Sequence, residues 1–119
     1  MKEQTAPELW IRAQRRKHEE SEALRLSVLS QMDRALGTLI RKYRWTECYL
    51  FGSILSPGRF HEDSDVDLAV GGLARHDLYR FVGDVSSILE RNVDVVVLEE
   101  SRLAESIRRK GKPWSPRNP

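Results

Sequence analysis

The chain contains little of what a disulfide-stabilised or membrane-spanning protein needs. It has a single cysteine, Cys48, which can form neither an internal disulfide nor a thiolate metal cage. No run of about 18 apolar residues is present, and residues 1–4 are polar, unlike a secretory signal. These absences predict a cytoplasmic protein that has no membrane span.

Excess charge of one sign is also absent, since 20 Lys and Arg oppose 18 Asp and Glu for a net charge of +2. Such a balance does not by itself indicate binding to nucleic acid. Arg15, Arg16 and Lys17 could contact RNA or a phosphorylated partner, but a solvated helix face is the simpler interpretation. Direct nucleic-acid binding is therefore not expected. The length of 119 residues suits one compact domain.

The first third of the chain predicts a long helix. Thr5, Pro7 and Glu8 are typical of a capped helix start. Residues 12–22 are almost wholly polar, whereas apolar residues then recur at three- and four-residue spacing and predict a buried stripe of Leu24, Val28, Met32, Ala35, Leu36, Leu39, Ile40 and Tyr43. We therefore divide the chain into a helical extension over residues 1–29, a domain over 30–114 and a tail over 115–119.

Leu9, Trp10 and Ile11 form an apolar patch near the start of this helix, separated from the stripe by the charged stretch. One interpretation is that the patch docks a partner or a second copy of the chain. The other is that it folds back on the surface of the chain itself. The sequence leaves both open, and with them a homo- or hetero-oligomeric state.

An apolar run that ends in a Gly-Ser pair, Tyr49-Leu50-Phe51-Gly52-Ser53, indicates a strand followed by a tight turn. Glycine lets the backbone approach a phosphate because it has no side chain, and serine offers a hydroxyl and an amide to phosphate oxygens. Gly52 and Ser53 are therefore candidate phosphate-binding residues. The alternative for Ser53 is that it caps a helix.

Residues 65–70 indicate a second strand that carries two carboxylates. Because strand side chains alternate between faces, Asp65 and Asp67 project to one side, while Val66 and Leu68 fill the buried side. Two neighbouring carboxylates repel each other unless a cation lies between them. The pair therefore predicts a metal site beside the phosphate-binding turn.

Further along, the patterns predict a helix over residues 73–90, a strand over 93–98, a helix over 101–110 that ends at Gly111, and a frayed tail from residue 112 with Trp114 tucked onto the body. Asp94 faces away from its neighbours Val93 and Val95. If this strand lies beside the second strand, Asp94 joins Asp65 and Asp67 as a third carboxylate. An isolated Asp at a strand start is otherwise a solvated end residue.

These segments together resemble the minimal nucleotidyltransferases of the DNA polymerase β superfamily, over roughly residues 30–114. The resemblance is carried by Leu50-Phe51-Gly52-Ser53, Ser64-Asp65-Val66-Asp67-Leu68-Ala69-Val70, Val93-Asp94-Val95-Val96 and Ile107-Arg108-Arg109-Lys110-Gly111. It implies an α/β (α+β) fold in which a small mixed sheet is flanked by helices, here with an extended N-terminal helix.

The resemblance also implies a reaction. Asp65 and Asp67 would be the metal-binding pair and Asp94 the third acid, which would help to deprotonate an acceptor hydroxyl; together they would hold two Mg²⁺ ions. ATP would bind at Gly52 and Ser53 and give its AMP to a hydroxyl of a protein acceptor. Many members are antitoxins paired with a HEPN-domain toxin, so such a toxin is the expected partner.

The loop over residues 54–64 is a little longer than in the family pattern, and Ile54-Leu55-Ser56-Pro57 stands where a basic residue is usual. Arg59 is the candidate replacement cation for the nucleotide. The altered loop also favours an alternative, in which a catalytically weakened antitoxin neutralises its toxin by binding alone.

Overall fold

The computed structural model describes residues 6–116, which form a four-stranded sheet and three α-helices. In chain order the elements are α1 (Ala6–Leu39), β1 (Glu47–Phe51), β2 (Val66–Gly71), α2 (Arg75–Leu89), β3 (Val93–Val97), α3 (Ala104–Lys110) and β4 (Lys112–Pro113). Short 3-10 helices follow β1 and β3. The strand order is β3-β2-β1-β4, with β2 and β3 parallel and the other pairs antiparallel. The expected mixed sheet with flanking helices is confirmed.

The two faces of the sheet are buried unequally. Alternate residues of β2, Val66, Leu68 and Val70, pack with α1 and α2 in the larger core cluster. On the other face, Ala69 packs with Ile107 of α3 in a smaller cluster. The short helix α3 covers only part of that second face. The carboxylates of Asp67 and Asp94 lie on this less covered face.

Most of the apolar stripe predicted for α1 is buried, whereas Leu24 and Ile40 are half-buried. The buried members are Val28, Met32, Ala35, Leu36 and Leu39. The helix ends before the stripe does, and Tyr43 follows in a turn in which its N–H donates to the carbonyl of Leu39. The Tyr43 ring meets Phe81 of α2 edge to face, with ring centroids 5.5 Å apart. Its hydroxyl donates to Asp84 Oδ2 at 2.6 Å, which joins the turn after α1 to α2.

The N-terminal half of α1 extends away from this core. Leu9, Trp10 and Ile11 are 53%, 64% and 49% exposed, so the patch does not fold back on the described surface. Thr5, which was expected to cap the helix, lies outside the described residues. Within residues 6–116 no helix has the length and apolar character that crossing a membrane requires.

The segment after α3 corrects a prediction. The tail was expected to fray from residue 112, but Lys112–Pro113 pair with β1, opposite Leu50 and Tyr49. Trp114 is tucked onto the body as expected: its backbone N–H donates to the Cys48 carbonyl at 2.8 Å and its indole N–H to Asp33 Oδ1 at 2.9 Å. The prediction was wrong because strand pairing depends on the exposed edge of β1, which lies far away in sequence.

The helix starts predicted for the C-terminal half were a few residues early. α2 begins at Arg75 and α3 at Ala104, rather than at residues 73 and 101. Before α3, residues Leu98–Glu100 form a 3-10 turn and the Ser101 hydroxyl accepts a hydrogen bond from the Leu103 N–H at 3.1 Å. These local bonds satisfy the backbone without an α-helix.

Candidate functional site

Three side chains form a row across the sheet at the ends of their strands. Asp67 of β2 is in register with Phe51 of β1 on one side and with Asp94 of β3 on the other. Residues directly opposite each other in neighbouring strands project to the same face. The structure therefore brings Asp94 beside Asp67, as the sequence predicted if the two strands were neighbours.

Asp65 lies just before β2, where the next residue, Val66, donates its N–H to the Asn92 carbonyl at 3.1 Å. Asp65 and Asp94 are exposed, whereas Asp67 is half-buried. The pKa of the Asp67 carboxyl is raised, first by its burial and then by the negative charges of Asp94 and Asp65. Both acids therefore act electrostatically on Asp67.

No hydrogen bond or ion pair joins the side chains of Asp65, Asp67 or Asp94 to a partner within residues 6–116. Other carboxylates of the chain are neutralised internally, for example Glu47, which accepts two hydrogen bonds from Arg108 at 2.8 and 3.0 Å. Asp65, Asp67 and Asp94, which we call the acidic row, thus form a site whose negative charge is not compensated. A cation from outside the chain would lower the repulsion among the three carboxylates.

Gly52 sits against this row. Its φ of +78° lies in the left-handed region that glycine tolerates best. A Cβ at this position would lie 3.2 Å from Asp67 Cγ and closer still to Asp67 Oδ2. Glycine is therefore needed here for two reasons, the backbone conformation and the space that the Asp67 carboxylate occupies.

Ser53 follows in the 3-10 helix Gly52–Leu55, whose N-terminus has no side-chain cap. The capping alternative for Ser53 is therefore not supported. Its half-buried side chain adjoins Gly52 and makes no hydrogen bond with another residue of the described chain. The Ser53 hydroxyl is available to a ligand at the turn.

The loop between the turn and β2 is fixed to α1. The Arg25 guanidinium donates to the Ile54 carbonyl at 3.1 Å, and the Ser21 hydroxyl donates to the Phe60 carbonyl at 2.6 Å. Phe60 itself is fully buried. Polar residues in the middle of α1 therefore hold the turn and the loop after it, a role that the sequence analysis missed because no local pattern marks Ser21 or Arg25.

Arg91 holds the other end of the same loop. Its guanidinium donates to the carbonyls of Glu62 and Ser64 at 2.8 and 2.7 Å and stacks over the Phe60 ring at 5.0 Å. Three carbonyl contacts from one guanidinium order the chain directly before Asp65. No sequence pattern marks Arg91, since the contacts come from a segment about 30 residues away.

Arg59, the candidate replacement cation, is exposed in this loop, and its backbone N–H donates to the Ser56 carbonyl at 3.1 Å. Within residues 6–116 it forms no ion pair with the three carboxylates. Its neighbour Gly58 lies against His18 of α1. The nucleotide role of Arg59 therefore stays a prediction.

Magnesium was expected at Asp65, Asp67 and Asp94, but no three His, Cys, Asp or Glu side chains of residues 6–116 converge into a complete ligand group. Mg²⁺ is usually held by one or two carboxylates together with waters and substrate phosphates, rather than by an all-protein cage. The donor set fits that chemistry, because its carboxylate oxygens are unpaired. Burial first, and then the charges of Asp94 and Asp65, raise the pKa of Asp67, and a cation would offset both effects.

Comparison with known proteins agrees with this geometry. The family described as "Polymerase beta, Nucleotidyltransferase" matches residues 36–117. A solved structure, "Crystal structure of the toxin-antitoxin with AMP-PNP", contains a chain 27% identical to this one. The match covers 72% of this chain and 74% of that chain, with a TM-score of 0.59. No curated protein matches the chain.

Proposed function

Because the chain belongs to the polymerase β nucleotidyltransferase family, we propose that it transfers AMP from ATP to a hydroxyl of a protein acceptor, with Mg²⁺ as the cofactor. One observation carries the proposal: Asp67 and Asp94 lie in register near the starts of β2 and β3, with the Gly52 turn directly against Asp67. This closeness supports the proposal that the turn binds phosphate beside a cation held by the acids.

In the proposed reaction the acceptor oxygen forms a bond to the α-phosphorus of ATP, and the bond from that phosphorus to the pyrophosphate oxygen breaks. Asp94, which is more exposed than Asp67, takes the proton of the acceptor hydroxyl. Gly52 and Ser53 hold phosphate oxygens through the turn amide and the Ser53 hydroxyl. The chain therefore contributes mainly orientation and charge.

Asp65, Asp67 and Asp94 are the residues that would hold Mg²⁺. When bound, Mg²⁺ neutralises phosphate charge and makes an acceptor hydroxyl more acidic. The raised pKa of Asp67 supports this role, since burial and two neighbouring carboxylates disfavour its charged form unless positive charge arrives.

We further propose that the chain is the antitoxin of a toxin-antitoxin pair, with a HEPN-domain toxin as partner and acceptor and with the cytoplasm as its location. The similarity to a chain in a toxin-antitoxin structure supports the pairing. The exposed patch of Leu9, Trp10 and Ile11 offers an apolar surface for a partner, since such side chains are seldom clustered in solvent without one.

The test is calorimetric titration of ATP into the purified chain with and without Mg²⁺, followed by transfer of labelled AMP to a co-purified toxin. Binding should require Mg²⁺ and should be lost in the Asp65→Asn, Asp67→Asn double variant. The matched control is Asp63→Asn, which removes a nearby carboxylate from the loop outside the row. Equal loss in both variants would show that the row has no special role.

A second candidate is an antitoxin that neutralises its toxin by binding alone. One observation favours it: Arg59 forms no ion pair with the three acids within residues 6–116. The double Asn variant separates the candidates in cells. Continued neutralisation of the toxin by that variant would favour binding alone, whereas released toxicity would favour transfer.

A further inference from the structure

The first half of α1 projects from the body of the molecule. Residues 6–20, which we call the arm, are all exposed and span about 22 Å of helix. The molecule accordingly measures 64 Å along its longest axis, against 29 and 27 Å along the other two. Most of α1 precedes residues 36–117, the range that the family matches. The family domain therefore does not explain the arm.

One face of α1 carries an exposed apolar side chain at each end of a charged stretch. Ile11 is 49% exposed and Leu26 is 54% exposed. Their separation of 15 residues is about four helical turns plus about 60°, so they lie on nearly the same side of the helix. Arg15 follows Ile11 by one turn, and Glu22 precedes Leu26 by one turn, so both share this face. The face is therefore apolar, basic, acidic and apolar in chain order.

This order fits a second copy of the chain that runs antiparallel to the first. Three pairs on the face are symmetric about the midpoint between residues 18 and 19: Ile11 with Leu26, Arg15 with Glu22, and His18 with Glu19. A two-fold axis at that midpoint would place each residue opposite its pair in the other copy, so unlike charges would meet twice. A parallel pair would place like charges together instead.

Part of this charge has no partner within the chain. Arg15 and Glu19 are one turn apart, yet neither forms an ion pair within residues 6–116. Glu22 binds Arg25 of its own helix. In the antiparallel pair Arg15 would lie opposite Glu22 and one turn from Glu19, so it would gain the unlike charge that it lacks in the single chain.

A groove beside Leu26 offers room for the apolar end of the other copy's arm. It lies between α1 and the segment after α3 and has a volume of about 490 Å³. Leu26 and Leu29 line it from α1, and Pro113 and Trp114 line it from the other side. Because Ile11 of the second copy would lie opposite Leu26, the antiparallel pair would bring the apolar end of each arm to the groove of the other copy.

We propose that the chain forms a two-fold symmetric dimer in which the two arms pack antiparallel and each places Trp10 and Ile11 against the groove of the other copy. Burial of these apolar side chains stabilises the dimer, and the charged residues between them set its direction. A toxin is the other candidate occupant of the patch. The charge order of α1 favours a second copy, because that order is complementary to itself.

The first experiment is sedimentation equilibrium of the full chain over a range of concentrations. The wild type should form dimers, and Ile11→Ala and Leu26→Ala should each weaken dimerisation about a hundredfold, because two-fold symmetry makes each substitution act twice. The matched control is Ile88→Ala, since Ile88 is also 49% exposed but lies on α2. It should dimerise as the wild type does.

Two results would overturn the dimer: a wild type that stays monomeric, or dimerisation that neither Ile11→Ala nor Leu26→Ala weakens. Loss of toxin binding by Ile11→Ala in a chain that is monomeric would assign the patch to the toxin. The measurement needs neither ATP nor Mg²⁺, so its failure would leave the proposed transfer reaction intact.

Cysteine cross-linking tests the direction of the pair. Cys48 is buried, so a cysteine placed on the exposed face is the reactive one. A mixture of Ile11→Cys chains and Leu26→Cys chains should form a disulfide-linked dimer on mild oxidation. Ile11→Cys chains alone should not, because the two copies of position 11 would be about 22 Å apart, too far for a disulfide. Efficient cross-linking of Ile11→Cys chains alone would show a parallel pair and refute the proposal.

Discussion

Replacing Gly52 with alanine tests whether the turn and the acidic row act as one unit. The substitution adds one Cβ, at a φ of +78° and within contact distance of the Asp67 carboxylate. The left-handed conformation alone costs roughly 1–2 kcal/mol for a residue with a Cβ. For a chain of this size, each kcal/mol lowers Tm by about 4 °C. Strain therefore predicts a Tm loss of about 4–8 °C.

The contact with Asp67 adds a second effect that the matched control lacks. Gly58 has nearly the same φ, +82°, but a Cβ there would lie 3.6 Å from its nearest neighbour, the His18 ring. Gly58→Ala should therefore show the strain alone and keep Mg²⁺-dependent ATP binding. Gly52→Ala should also displace the Asp67 carboxylate and lower transfer about a hundredfold, as misplacement of a catalytic group by about 1 Å does.

A double-mutant cycle isolates the contact. In an Asp67→Ala background the alanine at position 52 meets no carboxylate, so its cost should fall to that of Gly58→Ala. The coupling between positions 52 and 67 should be about 0.5–3 kcal/mol, measured by urea unfolding of the four proteins. Coupling near zero, or wild-type ATP binding by Gly52→Ala, would refute the reasoning.

Three further predictions concern single side chains. The raised pKa of Asp67 means that protonation of this carboxyl favours the folded form. The stabilisation is complete below the ordinary pKa of 3.8 and is lost as the pH rises through the raised pKa. Because asparagine stays neutral, Asp67→Asn should raise Tm at pH 7, and this gain should vanish in acid. An unchanged Tm at pH 7 would contradict it. Trp114→Ala should cost about 2–4 kcal/mol in urea unfolding, and Trp114→Phe, which keeps a ring but loses the indole hydrogen bond to Asp33, about 1 kcal/mol less than that; no loss in Trp114→Phe would show that this hydrogen bond contributes no stability. Burial raises the pKa of Cys48 to about 12, so a thiol reagent at pH 8 should label it only in denaturant. Fast labelling of the native chain would show that β1 opens.

Some of the site could be predicted from local patterns. The alternation of Asp67 with Val66 and Leu68 follows from strand geometry, since successive side chains point to opposite faces. The structure buries both apolar residues and leaves the carboxylate on the other face. The buried stripe of α1 was predictable for the same reason, because the helix period repeats every 3.6 residues.

Other parts of the site depend on segments far apart in sequence. The order in which strands pair placed Asp94 in register with Asp67, and the sequence predicted that only on the condition that the strands were neighbours. Arg91 reaches the loop before Asp65 across about 30 residues. Such contacts depend on which side chains meet after packing, and the local periodicity of the sequence does not predict them.

The sequence by itself therefore determined the elements, the faces of their side chains and the residue types of a phosphate-and-cation site, because backbone periodicity and glycine's conformational freedom are local properties. Only the tertiary structure decided how those residues meet. Strand register set Asp67 between Phe51 and Asp94, and packing of α3 on the sheet placed Ile107 and Lys110 beside the turn. The physical reason is that burial of apolar surface selects the arrangement of the whole chain, and the positions of exposed charges follow from it.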